Sequence, residues 1–426
     1  MKDMVPNVLL AGVLLLNFAV FHAGNLKLSA LHLLFALTVG FVMLRVRKLE
    51  LSKAVTMLFL LALPLLNVYF VEARTEFFKT FMTFTILVFS YFMVLPYLQR
   101  PSMTPFNKFY RRLLVLVAIL QVFGIVQWVT ANFFHSMSLF NIYLPFQFND
   151  EQLIGAYRGL TRADSIFPEP SIFAIVCNLS SALILAFNRL RKDWIFFALN
   201  VIAMSLTFSS SAYLFFLLMV AAYLLLHRKF GLLAYGLGFL VIALLLYSGN
   251  MLQVFRFNEL YSPGTSGYYR VVSPLLMLKD VLLHHPLNGI GIGQIDLLIP
   301  KDYARYFIKS GTVGRTLDNS LMLSFIVFGF PVLFVYYRIL TKYVRRYAKP
   351  RLNIVLMLYL VSFLSSTGLL FAPEFILILL ICEWAMYQNA VEAGAVPAEE
   401  SKEEEGLSYR NRLLPSLRLP TIAEKN

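Results

Sequence analysis

Long unbroken apolar blocks alternate with short charged ones along this chain. A membrane-crossing helix needs roughly 17–25 apolar residues for about 30 Å of hydrocarbon. Blocks of that kind lie near residues 6–22, 28–44, 54–71, 77–98, 113–133, 171–187, 194–208, 212–226, 230–248, 319–339, 353–368 and 374–389. They are continuous rather than alternating, which predicts helices and not the roughly ten-residue in-and-out strands of a barrel. The expected fold is all-α: a polytopic membrane protein of about 12 transmembrane helices over residues 1–390. Residues 391–426, with Glu399, Glu400, Glu403, Glu404 and Glu405, are polar and read as a disordered cytoplasmic tail. The first block follows only Lys2 and Asp3 and runs through His22-Ala23-Gly24 into the next, so an uncleaved helix is expected rather than a signal peptide.

Two stretches need dividing. Trp194–Leu226 holds 33 residues without a charge. As one helix it would be about 50 Å long, too long for a single crossing. Phe208-Ser209-Ser210-Ser211 in its middle predicts a tight hairpin of two short spans. The same logic splits 353–389 at Ser365-Ser366-Thr367-Gly368 and Pro373.

Composition removes other classes. Of 426 residues, 59% are hydrophobic and 14% charged. Soluble domains run at roughly 45–50% apolar and about 25% charged. The two cysteines, Cys177 and Cys382, both sit in apolar runs, which excludes a disulfide scaffold and a cysteine zinc site. Lysine and arginine number 37 against 23 acidic residues. That excess would suggest nucleic acid in a soluble chain, but here its placement explains it. Arg45, Arg47, Lys48 and Lys53 lie between spans 2 and 3. Arg100, Lys108, Arg111 and Arg112 lie between 4 and 5, Arg189, Arg191 and Lys192 between 6 and 7, and Arg228 and Lys229 between 8 and 9. Arg338, Lys342, Arg345, Arg346, Lys349 and Arg351 lie between 10 and 11. All are even-to-odd connections, so they face the cytoplasm, as do both termini. No nucleic-acid partner is implied.

Two long loops then fall outside, about 134–170 and 249–318. Loops of that length are functional or disordered, and these are rich in aromatics. Short amphipathic helices at the outer interface are expected, one of them over Val271–Leu283. The second loop carries Arg256, Arg270, Lys279, Lys301, Arg305, Lys309 and Arg315, on the side that topology depletes of cations. The first carries Arg158 and Arg162. A guanidinium near a membrane needs an anionic partner, and its fork matches phosphate oxygens. Taken singly, each arginine is an ordinary headgroup anchor or salt-bridge partner. As a cluster they point to a lipid-linked phosphate or pyrophosphate.

Four local patterns carry the candidate chemistry. Arg158-x3-Arg162 leads into Phe167-Pro168-Glu169-Pro170-Ser171-Ile172-Phe173-Ala174, where Ser171 can cap the next helix and Glu169 lies near its positive end. Tyr268-Tyr269-Arg270 is followed by His284-His285-Pro286-Leu287-Asn288-Gly289-Ile290-Gly291-Ile292-Gly293. Those glycines lack the flanking strand of a nucleotide motif and predict a tight bend. The adjacent histidines are not spaced for a metal. Arg315-Thr316-Leu317-Asp318-Asn319-Ser320 opens span 10, with Asp318 as either cap or functional carboxylate. Thr207–Ser211 is a polar turn.

This arrangement resembles the O-antigen ligase/polymerase superfamily of bacterial membrane glycosyltransferases. The resemblance is most specific over about 155–330. Phe-Pro-Glu-Pro-Ser-x-Phe-Ala is closer to the polysaccharide-polymerase branch. Arg270 matches the family's loop arginine, and His285, Pro286, Gly289, Gly291 and Gly293 match its His-Pro-Leu motif. Asp318-Asn319 stands where members often have His-Asn. Ala212 stands where many have an arginine.

The resemblance implies transfer of a growing glycan from undecaprenyl pyrophosphate to a lipid-linked repeat unit, at the outer face of the bacterial inner membrane. It implies undecaprenyl-pyrophosphate-linked glycans and membrane lipids as partners, with a chain-length regulator or flippase beside them. Arg270 is the first candidate for the pyrophosphate, then Arg162, Arg158 and Arg315. Glu169 and Asp318, with His285 third, are candidates for receiving the acceptor's proton. No cofactor and no metal are expected. The alternatives are a ligase acting on lipid A-core and a flippase or transporter. A transporter predicts charge deep inside spans, and only Glu374 and Glu383 approach that, both read as near a helix end.

Overall fold

The computed structural model describes residues 3–16, 19–23, 26–44, 51–68, 71–100, 106–141, 156–157, 160–167, 169–187, 192–228, 262–263, 265–309, 312–313, 317–347, 350–368 and 370–394. Within these the chain is mostly helical. The first half contains α1 (Met4–Leu14), α2 (Ala30–Met43), α3 (Leu51–Leu65), α4 (Arg74–Leu98), α5 (Phe106–Phe133), α6 (Ser138–Asn141) and α7 (Pro170–Phe187). The second contains α8 (Asp193–Ser205), α9 (Ser210–Leu226), α10 (Ser266–His284), α11 (Ile295–Asp302), α12 (Ser320–Phe328), α13 (Val332–Lys342), α14 (Asn353–Ser366) and α15 (Pro373–Glu392). Three small antiparallel strand pairs join them: Ala19–Ala23 with Leu26–Ser29, Ala156–Tyr157 with Leu160–Thr161, and Ile308–Lys309 with Thr312–Val313. Helices α4, α5, α7 and α15 are long and apolar enough to cross a membrane, and α1, α2, α3, α8, α9 and α14 are shorter apolar helices.

Both divided stretches turn where the polar residues stand, between α8 and α9 and between α14 and α15. Three expectations change. The first block does not stay helical: α1 ends at Leu14, and Ala19–Ala23 pairs in a hairpin. The block 319–339 is two helices, α12 and α13. Gly329, at φ +65°, and Pro331 break it, since one turns the backbone left-handed and the other has no N–H to continue the ladder. The freed Phe330 N–H donates to the Pro286 carbonyl at 2.8 Å. The helix expected at Val271–Leu283 has wider bounds, running as α10 from Ser266 to His284, and it buries Tyr269, Met277 and Val281 where its apolar stripe meets α12. The block 230–248 and the tail from 395 lie outside the described residues.

The core has two parts. One gathers α1, α2, α5, α7, α14 and α15 around Phe106, Phe173, Leu183 and Trp384. The other packs α10, α11, α12 and the start of α4 around Phe77, Met277, Phe307 and Ile326. Opposite ends of the first part differ in chemistry. At one end Phe106 stacks on Phe187 and meets Trp384 edge-on, each with centroids 4.9 Å apart. There Asn353 donates to the Met386 carbonyl at 3.1 Å, and Lys108 pairs with Asp3 at 2.9 Å. That end borders the cation-rich connections.

Glu383 corrects the view that the last span carries charge only near its ends. It sits ten residues into α15 and is 1% exposed. Its Oε2 accepts from Lys342 Nζ at 2.5 Å. Oε1 accepts from Tyr91 Oη at 2.5 Å and from Tyr343 Oη at 2.9 Å. The cation comes from the end of α13, where the chain widens into a π-turn over Tyr343–Tyr347. A mid-helix carboxylate is thus neutralised by a neighbour 41 residues away.

Candidate functional site

Arg162, ahead of α7, and Arg270, in α10, meet at one turn. Residues 206–209 connect α8 to α9. The Thr207 carbonyl accepts from Arg162 Nε at 2.7 Å, beside an Ala163 N–H to Leu206 carbonyl bond of 3.0 Å. Phe208 has φ +48°, an outlier for a bulky residue. Strain of this kind collects at functional sites. Four residues beyond Thr207, the Ser211 hydroxyl accepts from Arg270 Nη1 at 3.3 Å. Arg270 is half-buried, and its Nε is buried without a hydrogen-bond partner among the described residues. A buried guanidinium donor left unused favours an anionic ligand. Ala212, where many members of the resembled superfamily carry arginine, is buried, and Arg270 brings its charge to that turn from another helix.

Two amides on the last turns of α5 hold the Arg162 segment. Asn132 receives the Thr161 N–H at 2.8 Å and donates to the Thr161 carbonyl at 3.0 Å. Gln127 accepts from the Ser165 N–H at 2.8 Å and returns a bond to the Ser165 carbonyl at 3.2 Å. Ser165 has φ +57°. Asp164, between these anchors, is 1% exposed. The sequence offers one signal for this grip: polar amides inside an apolar span.

Asp318 and Glu169 occupy helix starts at the same end. The cap of α12 is Asn319, whose Oδ1 accepts from the Met322 N–H at 3.0 Å. Asp318 precedes it and is half-buried. Glu169 precedes α7 and accepts from the Ser171 hydroxyl at 2.8 Å, so the serine expected as a cap instead holds the carboxylate. Tyr359 Oη donates to the Ile175 carbonyl at 3.2 Å. Helical rise puts Glu169 about 9 Å above that contact and Thr367 about 12 Å above it. Ser320 bonds the Thr367 carbonyl at 2.6 Å, so Glu169 and Asp318 lie at similar depth.

His285 is elsewhere. It is exposed and caps the far end of α10, about 22 Å along the helix from Arg270. Its motif builds the expected bend. Gly289, Gly291 and Gly293 have φ of +59°, +83° and +72°. Gly289 lies against the Ile326 and Val327 carbonyls, and a Cβ on Gly293 would stand 2.5 Å from the Glu76 carbonyl oxygen. The Gly291 N–H donates to the Val327 carbonyl at 3.1 Å. This bend locks α12 and α4 together. Gly293→Ala is expected to cost about 1–3 kcal/mol from backbone strain alone, and a fall in the detergent melting temperature checks it. Arg158 and Arg315 lie outside the described residues.

Further along α10, Asp280 accepts from Tyr306 Oη and Arg305 Nη2, each at 2.7 Å. The Tyr306 hydroxyl first, and Arg305 with it, hold this carboxyl below its usual range. Among the described residues, no three His, Cys, Asp or Glu side chains gather to hold a metal ion.

A family model described as WcaD colanic acid polymerase matches residues 5–388. The chain belongs to the WcaD colanic acid polymerase family. The match takes in Arg162, Glu169, Arg270, His285, Asp318 and the Lys342–Glu383 pair. An Escherichia coli (strain K12) protein named "Putative colanic acid polymerase" is 30% identical over 139 residues, covering 31% of this chain and 32% of that protein. The chain thus aligns with about a third of that relative's length. Membership agrees with the polymerase branch suggested by Phe-Pro-Glu-Pro-Ser.

Proposed function

We propose that this protein is a polysaccharide polymerase of the colanic acid kind, working at the outer face of the bacterial inner membrane with both termini cytoplasmic. The observation that carries the reading is the convergence of Arg162 and Arg270 on the 206–211 turn, with one guanidinium donor buried and without a partner among the described residues. The donor is a glycan on undecaprenyl pyrophosphate and the acceptor a lipid-linked repeat unit. The acceptor hydroxyl attacks the donor's anomeric carbon. A glycosidic C–O bond forms and the bond to pyrophosphate oxygen breaks. Arg270 and Arg162 stabilise the charge that grows on the leaving pyrophosphate. Glu169 or Asp318 takes the hydroxyl proton. His285 is too far along α10 to share this site.

A transporter of lipid-linked oligosaccharide is the second reading, and one observation favours it: the buried Glu383 carboxylate paired with half-buried Lys342. That pair is closed by two tyrosine hydroxyls, which suits a fixed joint better than a path. Deletion of the gene separates the readings. A missing polymerase leaves single lipid-linked repeat units facing outward. Long polymer on the carrier in the deletion strain would instead mean a ligase, and single units held on the cytoplasmic face would mean a flippase.

A further inference from the structure

Asn319 stands at the start of α12 with both ends of its side chain engaged. Its Oδ1 accepts from the Met322 N–H at 3.0 Å, closing the first turn of the helix. Its Nδ2 donates to the Arg270 carbonyl at 3.1 Å. The side chain is buried, 4% exposed. The next residue ties the same helix start to α14, since Ser320 N–H and Oγ both reach the Thr367 carbonyl at 2.6 Å. A cap needs only the oxygen. The amide nitrogen does separate work, and its acceptor is the backbone of the arginine whose guanidinium reaches Ser211.

We propose that Asn319 is a positioning residue for the pyrophosphate site: its amide fixes the Arg270 backbone to the start of α12, and so fixes where the guanidinium points. The inference rests on the polymerase reading above, through Arg270. Arg270 lies in the first turns of α10, and Pro274, four residues on, has no N–H for its carbonyl, so Asn319 supplies that donor. Among the described residues the Arg270 side chain has one hydrogen bond, to Ser211, and a flexible stem keeps its fork aimed only if the Cα is fixed.

Asn319→Ser separates capping from positioning. Serine caps a helix about as well as asparagine, and it is too short to reach the Arg270 carbonyl. The test uses the full chain in detergent with undecaprenyl pyrophosphate as the probe. Asn319→Ser is expected to lower the melting temperature only slightly and to bind the probe about tenfold more weakly, the size of one lost hydrogen bond. Arg270→Ala alone binds weakly, and adding Asn319→Ser to it costs nothing further, because two residues acting as one unit do not add. If Asn319→Ser binds like the wild type while Arg270→Ala is weak, the inference is overturned and the polymerase reading stands. Fully additive losses in the double variant also overturn it, since Asn319 would then act apart from the arginine. If Arg270→Ala itself binds like the wild type, the pyrophosphate reading falls and the inference falls with it.

Discussion

Cells carrying Arg270→Ala are expected to make no polymer while holding the protein at its normal level. The guanidinium has little to do with folding. Among the described residues it makes one bond, of 3.3 Å, to Ser211, and a hydrogen bond to a charged group is worth about 1.5–3 kcal/mol net. In the proposed reaction its work is electrostatic: departure of undecaprenyl pyrophosphate would concentrate negative charge on the bridging oxygen, and a fixed donor at such a point is worth about 10²–10³ in rate. Arg162→Ala should fall in the same direction, with an added loss because its Nε also holds the Thr207 carbonyl. Arg270→Lys keeps the charge and loses the fork, so it should restore only part of the activity. Immunoblots of membranes beside glycan gels decide the matter. Polymer of ordinary length and amount from Arg270→Ala would remove this residue from the site.

The second large effect concerns stability. Lys342→Ala leaves the Glu383 carboxylate in the protein interior without its cation. Breaking a buried pair by removing one partner typically costs about 3–5 kcal/mol. The Glu383 side chain is 2% exposed and that of Lys342 is 32% exposed, so the cost falls toward the lower end of that range. Loss of the protein from the membrane, or a much lower melting temperature in detergent, is the expected result. Lys342→Met combined with Glu383→Gln should recover most of the loss. A neutral amide oxygen can still accept from Tyr91 and Tyr343, and no charge remains to be compensated. An unchanged melting temperature in Lys342→Ala would show that the pair contributes nothing to the fold.

Much of the site's neighbourhood was legible before the fold was known. The arginines stood out because they break the charge rule for outer loops. The polar turn at Thr207–Ser211 stood out because an uninterrupted helix there would have been too long. The carboxylates at 169 and 318 stood out at helix starts. Their partnerships were not legible. Ser211 and Arg270 are 59 residues apart, and Asn319 is 49 from Arg270. No period links such positions. Asp318 and Asn319 are both good caps by residue type, and only the backbone turn at Asn319, extended at φ −150°, decides which one caps. The His-Pro-Leu motif looked like a companion of Arg270 because the two are close in sequence. About four turns of α10 between them carry them apart.

By itself the sequence determined that this chain is a helical membrane protein, where its main turns fall and which connections hold the cations. Those properties are local sums: each block's transfer energy and each loop's charge count are set by neighbouring residues alone. The tertiary structure decided that Arg162 and Arg270 share a turn, that Asn319 joins one of them to α12, that His285 stands at the far end of α10 from Arg270, and that Glu383 finds its lysine. These depend on how α10 and α12 pack against the seam of two cores. Packing is chosen by surfaces far apart in the chain, which no local sum contains.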